Sequence, residues 1–199
     1  IGAEAYAEMG LSLVGIDCDL GEASVQIASD SHSIGELATR RLIDDGCSRI
    51  LCLRNNSRMR MPANKRTDAY HDVVEQAGLP ALVREVEFVK SDDEKSAVVA
   101  KILDENPDID GIFAGDDTMA AICLNVMKQR GLSAPGDIKV VGADGARRTM
   151  TFMPDLTTVR QDIDRIGELA AQSIIALING DNPESNIKLP VELIEGKTA

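Results

Sequence analysis

Apolar runs of strand length alternate with amphipathic helical stretches along nearly the whole chain. Nothing else in the sequence restricts the fold as much. Residues 111–145 show the pattern best. Gly111-Ile112-Phe113-Ala114-Gly115 reads as a buried strand, and Asp116 and Asp117 follow it at once. A helix-periodic stretch then runs to Arg130-Gly131. Ile138-Lys139-Val140-Val141-Gly142 is the next strand, followed by Ala143-Asp144-Gly145. Repeated strand–helix–strand order implies a parallel sheet covered by helices. In such a sheet, ligands bind beyond the carboxyl ends of the strands. Asp116 and Asp144 are delivered there, one per strand, as acceptors for a ligand's hydroxyls.

The same reading predicts strands over 11–16, 49–53 and 84–89, and helices over 33–45, 64–77 and 92–105. Ile34, Leu37, Ala38 and Leu42 form the inward face of the first helix, which Gly46 stops. Ala69, Val73, Val74 and Ala77 form that of the second. Asp92 or Asp93 is the expected cap of the third. Residues 147–154 lack periodicity and read as a surface loop. An extended piece over 156–159 precedes a helix over 162–178 with Ile163, Ile166, Ala170, Ile174 and Leu177 inward. Residues 187–194 read as one final strand.

Composition removes several function classes. The net charge is -12 over 199 residues. Phosphate binding needs clustered Lys and Arg, so this chain is not expected to hold nucleic acid by itself. No apolar run is long enough to span a bilayer. Cys18, Cys47, Cys52 and Cys123 show no metal-binding spacing, and only two histidines are present. No metal and no cofactor is expected. The cysteines read as buried free thiols, which suits a reducing compartment. His32 and His71 lie on predicted helices without convergent partners. There is no GxGxxG, P-loop, GxSxG elbow or His-based triad, so no enzymatic activity is expected. Aromatics are only 3%, which counts mildly against a sugar ligand. The first residues read as the middle of a helix rather than a signal peptide.

Several motifs, in order, resemble the effector-binding domain of LacI/GalR-type bacterial transcription regulators. Val14-Gly15-Ile16-Asp17 resembles a strand ending in Asp. Asp30, Gly35, Leu42, Ile43 and Gly46-Cys47-Ser48-Arg49-Ile50 resemble "D…G…L…GH.RI", with Cys47 in place of His. Arg66-Thr67-Asp68-Ala69-Tyr70 resembles "R..GY", with Ala69 for Gly. Asp116-Asp117-Thr118-Met119-Ala120 resembles "ND.MA", with Asp116 for Asn. Val140-Val141-Gly142-Ala143-Asp144-Gly145 resembles "VVG[FY]D[DG]", with Ala143 for the aromatic residue. Leu156-Thr157-Thr158-Val159-Arg160-Gln161 resembles "LTT[VI].Q", and Leu189-Pro190-Val191-Glu192-Leu193-Ile194 resembles the family's last strand.

The resemblance implies an α/β, two-subdomain fold of the periplasmic-binding-protein-like type I, with parallel sheets flanked by helices. Residues 1–27 and 158–185 would form an incomplete N-terminal subdomain, and 28–157 with 186–199 the C-terminal one. It implies an effector, a sugar or related polar molecule, in the cleft between them. It also implies a homodimer, a cytoplasmic location, no membrane, and operator DNA held by a helix-turn-helix absent from this chain. The alternative is a periplasmic sugar-binding protein of an ABC transporter. Five residues are implied to meet the effector: Asp17, Arg66, Asp116, Asp144 and Gln161. A carboxylate offers about four acceptor sites, which suits a polyol. Each position also has a plainer reading. Asp17 and Asp144 could cap turns, and Asp116 or Asp117 could cap the following helix. Arg66 could be a solvated helix-start residue, and Gln161 a polar linker. The helix after Asp116 and the stretch from Ala146 are candidates for a dimer face, although Met119, Ile122, Val126 and Met127 suit a core equally.

Overall fold

The computed structural model describes residues 3–18, 20–21, 24–56, 64–87 and 90–199. The chain builds two sheets. The smaller holds β1 (Val14–Ile16), β2 (Val25–Ser29) and β8 (Asn186–Leu189), all parallel, in the order β1-β2-β8. The larger holds β3 (Ile50–Asn56), β4 (Leu82–Glu87), β5 (Gly111–Ala114), β6 (Lys139–Asp144), β7 (Thr157–Gln161) and β9 (Val191–Ile194). Its order is β4-β3-β5-β6-β7-β9, parallel except for β9, which runs antiparallel to β7. The parallel α/β expectation is met. Of the strand expected over 84–89, Phe88 and Val89 lie outside the described residues.

Helices α2 (Ser31–Asp44) and α3 (Asn64–Gln76) cover one face of the large sheet; α4 (Asp92–Glu105) and α5 (Asp117–Gln129) cover the other. Successive residues of β3 feed opposite layers. Ile50 and Cys52 pack with Ile34, Leu42 and Tyr70, whereas Leu51 and Leu53 pack with Met119 and Val126. A strand buried on both faces has no polar side, which is why these strands read as continuous apolar runs. Met119, Ile122, Val126 and Met127 all belong to this core. Tyr70 ties α3 to two strands: its hydroxyl donates to Ile50 O at 2.7 Å and accepts the Leu82 N–H at 2.8 Å. The small sheet packs Val25 and Ile27 against Ile166 of α7 (Ile163–Ile178). A short helix α1 (Ala3–Glu8) precedes β1.

Local chemistry explains the departures from the sequence reading. Residues 147–154 were expected as a loop, but α6 (Arg147–Phe152) forms there. None of its residues is buried and Ala146 supplies no side-chain cap, so neither periodicity nor a capping signal marks it. The cap of α4 is Ser91, not Asp92 or Asp93. Ser91 and Glu94 form a reciprocal capping box that satisfies two backbone donors. Ala77 is exposed, and Ile163 is 49% exposed rather than inward. The single strand expected over 187–194 is two. Pro190 has no N–H to give a ladder, so pairing stops there and the halves join different sheets. The pairings also carry Ala28 and Ser29 into the small sheet and Thr158 to Gln161 into the large one. The chain changes sheets near Asp30, Asp162 and Pro190, a few residues beyond 27, 158 and 185.

One close contact links this packing to the residues of interest. Gly35 of α2 lies against the first turn of α3, where an added Cβ would fall 2.1 Å from the Arg66 carbonyl oxygen. Gly167 of α7 has open space at the same point. Gly35→Ala should therefore destabilise the fold by about 1–3 kcal/mol through overpacking against backbone. Gly167→Ala should stabilise it by about 0.5–1 kcal/mol through helix propensity alone. Urea unfolding midpoints of both variants test this, and a neutral Gly35→Ala would show that the two helices separate freely.

Candidate functional site

The large sheet reverses its winding between β3 and β5, since β4 lies to one side and β6 and β7 to the other. Such a switch point opens a crevice at the carboxyl ends of the strands. Those ends carry Asn55 on β3, Gly115 and Asp116 after β5, Asp144 on β6 and Gln161 on β7. The first turn of α3 adds Arg66.

Three of the five expected residues meet. The Arg66 guanidinium donates through Nη2 to Asp144 Oδ1 at 3.1 Å and through Nη1 to the Gly115 carbonyl. Gln161 Nε2 donates to the same Asp144 oxygen at 2.6 Å. Arg66 is thus not a solvated helix-start residue: its side chain is 12% exposed, against 33% for Asp144. Burial pushes the Asp144 carboxyl above the usual carboxylate range, while the Arg66 charge pulls it down and the Asp116 charge adds to the push. Both of these donors take Oδ1. The Arg66 Nε is buried without a partner among the described residues, one more donor at the same place.

Asp116 takes its plainer role as well. Its Oδ1 caps α5 by accepting the Met119 N–H at 2.7 Å. Its Oδ2 accepts from the side-chain amide of Asn55. Asn55 was not singled out from the sequence, although it stands only two residues past the apolar run Ile50-Leu51-Cys52-Leu53. Asp17 lies apart, at the end of β1 in the small sheet, and the structure does not join it to the other four. Its backbone has φ 47°, and its carboxylate accepts the Ser29 N–H at 3.2 Å. A cavity of about 640 Å³ opens between α6, the start of α7 and residues 190–192; of the five residues only Gln161 lines it.

Asp117 does not cap the helix. It is 3% exposed, and its carboxylate accepts the Thr158 hydroxyl at 2.6 Å and the Gly145 N–H at 2.8 Å. Burial pushes its carboxyl up to about 6; the Thr158 bond opposes the rise and the Asp144 charge adds to it. Cys47, Cys52 and Cys123 are buried free thiols, and Cys18 is half-buried. Burial raises the Cys47 thiol to about 11 and those of Cys52 and Cys123 to about 12. His32, expected to have no convergent partners, sits on the surface 3.4 Å from the single carboxylate of Asp72 across α2 and α3. Among the described residues no three His, Cys, Asp or Glu side chains gather as a metal ion would require. Among them, too, no helix is long and apolar enough to cross a membrane.

A carboxyl whose folded pKa lies above its unfolded value holds its proton more tightly in the native state. Its contribution to stability is present at low pH and is lost as pH rises through the folded value. For Asp117 that window runs from the ordinary 3.8 to about 6. Relative to Asp117→Asn, the wild-type chain should lose roughly 1–3 kcal/mol of unfolding free energy between about pH 4 and about pH 7. Urea unfolding across that range measures it, and parallel curves for the two proteins would show an ordinary Asp117.

The periplasmic binding protein-like domain family matches residues 39–199. The sucrose operon repressor of Pediococcus pentosaceus is 31% identical over 201 residues, covering 100% of this chain and 61% of that protein. The ribose operon repressor of Halalkalibacterium halodurans is 29% identical over 194 residues, covering 97% of this chain and 58% of that protein. The solved complex of the transcriptional regulator CelR with cellobiose has a TM-score of 0.87 at 27% identity, covering 98% of this chain and 61% of that one. The chain therefore spans about three fifths of the length of the curated relatives it matches. Sequence match and fold agree, and the chain belongs to the periplasmic binding protein-like domain family.

Proposed function

We propose that this chain senses a sugar or a related polyol on behalf of a transcription regulator, with the ligand between the small and large sheets. The observation that carries the reading is the Arg66–Asp144–Gln161 cluster at the strand ends of the large sheet. It combines a planar donor fork, a carboxylate acceptor and an amide within one hydrogen-bonded group. Vicinal hydroxyls, which both donate and accept, match that set. Asp144 accepts from the sugar, Arg66 donates to it, Asp116 adds negative charge, and Asp17 contributes from the small sheet. Family membership and the names of the relatives support the same reading: repressors of sucrose and ribose operons, and a regulator solved with cellobiose.

A ligand that touches both sheets favours one relative orientation of the two units, and only by its difference in affinity for the orientations. In a homodimer this orientation sets the spacing of two helix-turn-helix heads, which belong to the part of the regulator outside this chain. The two units are the small sheet with α7 and the large sheet with its four helices. The regulator works in the cytoplasm. A transporter's solute-binding protein would use a similar cleft, but the relatives named above favour the regulator.

The test is calorimetric titration of the full-length protein with sucrose, ribose and cellobiose, followed by operator binding with and without the sugar that binds. Asp144→Ala should cost about 1–3 kcal/mol of sugar affinity, because Arg66 and Gln161 lose their shared acceptor. Unchanged affinity would remove Asp144 from the site. Sugar binding with no effect on DNA affinity would turn the reading toward transport.

A further inference from the structure

We propose that Asp117 is a positioning residue of the effector site, a buried brace that holds Asp144 and Gln161 in the geometry that meets the ligand; this rests on the function proposed above. The helix does not need Asp117 as a cap, because Asp116 already fills that role. A residue needed only for packing at so buried a place would be apolar, since an interior carboxylate is costly unless its oxygens are used. Both Asp117 oxygens are used, and on two different elements. Oδ2 takes the N–H of Gly145, the residue directly after Asp144. Oδ1 takes the hydroxyl of Thr158, three residues before Gln161 on β7. One side chain of α5 thereby pins the end of β6 and the course of β7.

The backbone shows why a brace is needed. Asp144 has φ 111° and Gly145 has φ 58°, so two successive residues lie at positive φ. For a non-glycine residue such a conformation costs on the order of 1–3 kcal/mol and persists only where its surroundings fix it. The turn folds back onto β7, where a Cβ at Gly145 would fall 2.6 Å from the Arg160 Cβ. β6 leaves room for the brace as well: a Cβ at Gly142 would fall 2.5 Å from Asp117 Oδ1. Arg66 and Gln161 hold the Asp144 side chain, while the bond from Gly145 to Asp117 fixes the backbone on which that side chain turns.

The test uses the full-length protein and two readouts. In the first, sucrose, ribose and cellobiose are titrated calorimetrically against wild type, Asp117→Asn, Asp144→Ala and the double variant. Asp117→Asn should weaken the sugar that binds by about tenfold, one charge-assisted bond's worth. It should weaken it far less in the Asp144→Ala background, because the brace acts through Asp144. Thr158→Val should also weaken it, and Thr158→Ser, which keeps the hydroxyl, should restore it. If Asp144→Ala weakens binding and Asp117→Asn does not, the brace is overturned and the effector site stands. If Asp144→Ala has no effect, the effector site falls. The second readout needs no sugar: backbone hydrogen exchange at Gly145 should speed up in Asp117→Asn. Unchanged exchange there overturns the brace whatever the titrations show.

Discussion

The large sheet is buried on both faces, and this constraint decides where chemistry can occur. Its central strands send alternate side chains into two apolar layers, and the polar groups that reach solvent lie toward the strand ends. Polar side chains can act only where the strands end. At the carboxyl ends they do: Asn55, Asp116, Asp144 and Gln161 all stand within a residue or two of the last ladder bond. Arg66 is the exception, since it reaches the cluster from a helix. That requires α3 to begin close beside the sheet, and the bare Cα of Gly35 permits it.

Legibility in the sequence followed the same constraint. The central strands and the helices over them were readable because burial on two faces, or on one stripe, leaves a periodic or continuous apolar mark. α6 left no mark because it buries nothing. The break at Pro190 was missed for a different reason. The residues on either side share the same strand-like composition, and only pairing partners far away in sequence tell them apart. Of the site, the strand-end carboxylates were readable from position alone, and Arg66 and Gln161 from the family resemblance. The partners of Asp117 were not readable. Gly145 N–H and Thr158 carry no local signature, and a buried carboxylate at a helix start looks the same in sequence as one that caps it.

The exchange of Asn for Asp at position 116 has a different meaning in the structure than in the sequence alone. Read locally, it removes a donor from the site and adds a charge. In the fold, an amide stands beside it: Asn55 donates to the Asp116 carboxylate across the β3–β5 switch point. Its own carbonyl oxygen is buried without a partner among the described residues. Donor and acceptor are thus shared between neighbouring strands. The charge also acts at a distance, raising the Asp144 carboxyl together with burial.

The three passages between the sheets lie side by side. Ser29 pairs with Leu189 in the small sheet and Gln161 pairs with Val191 in the large one, with Pro190 alone between the two ladders. The Asp30 N–H closes the row by donating to the Leu189 carbonyl. Three parallel tethers in one line behave as the spine of a book. Tethers set in one line oppose sliding and separation of the parts they join more than rotation about that line. A turn of a few degrees there is small at Gln161 and grows in proportion to distance from the line, so groups far from the spine gain or lose contacts first.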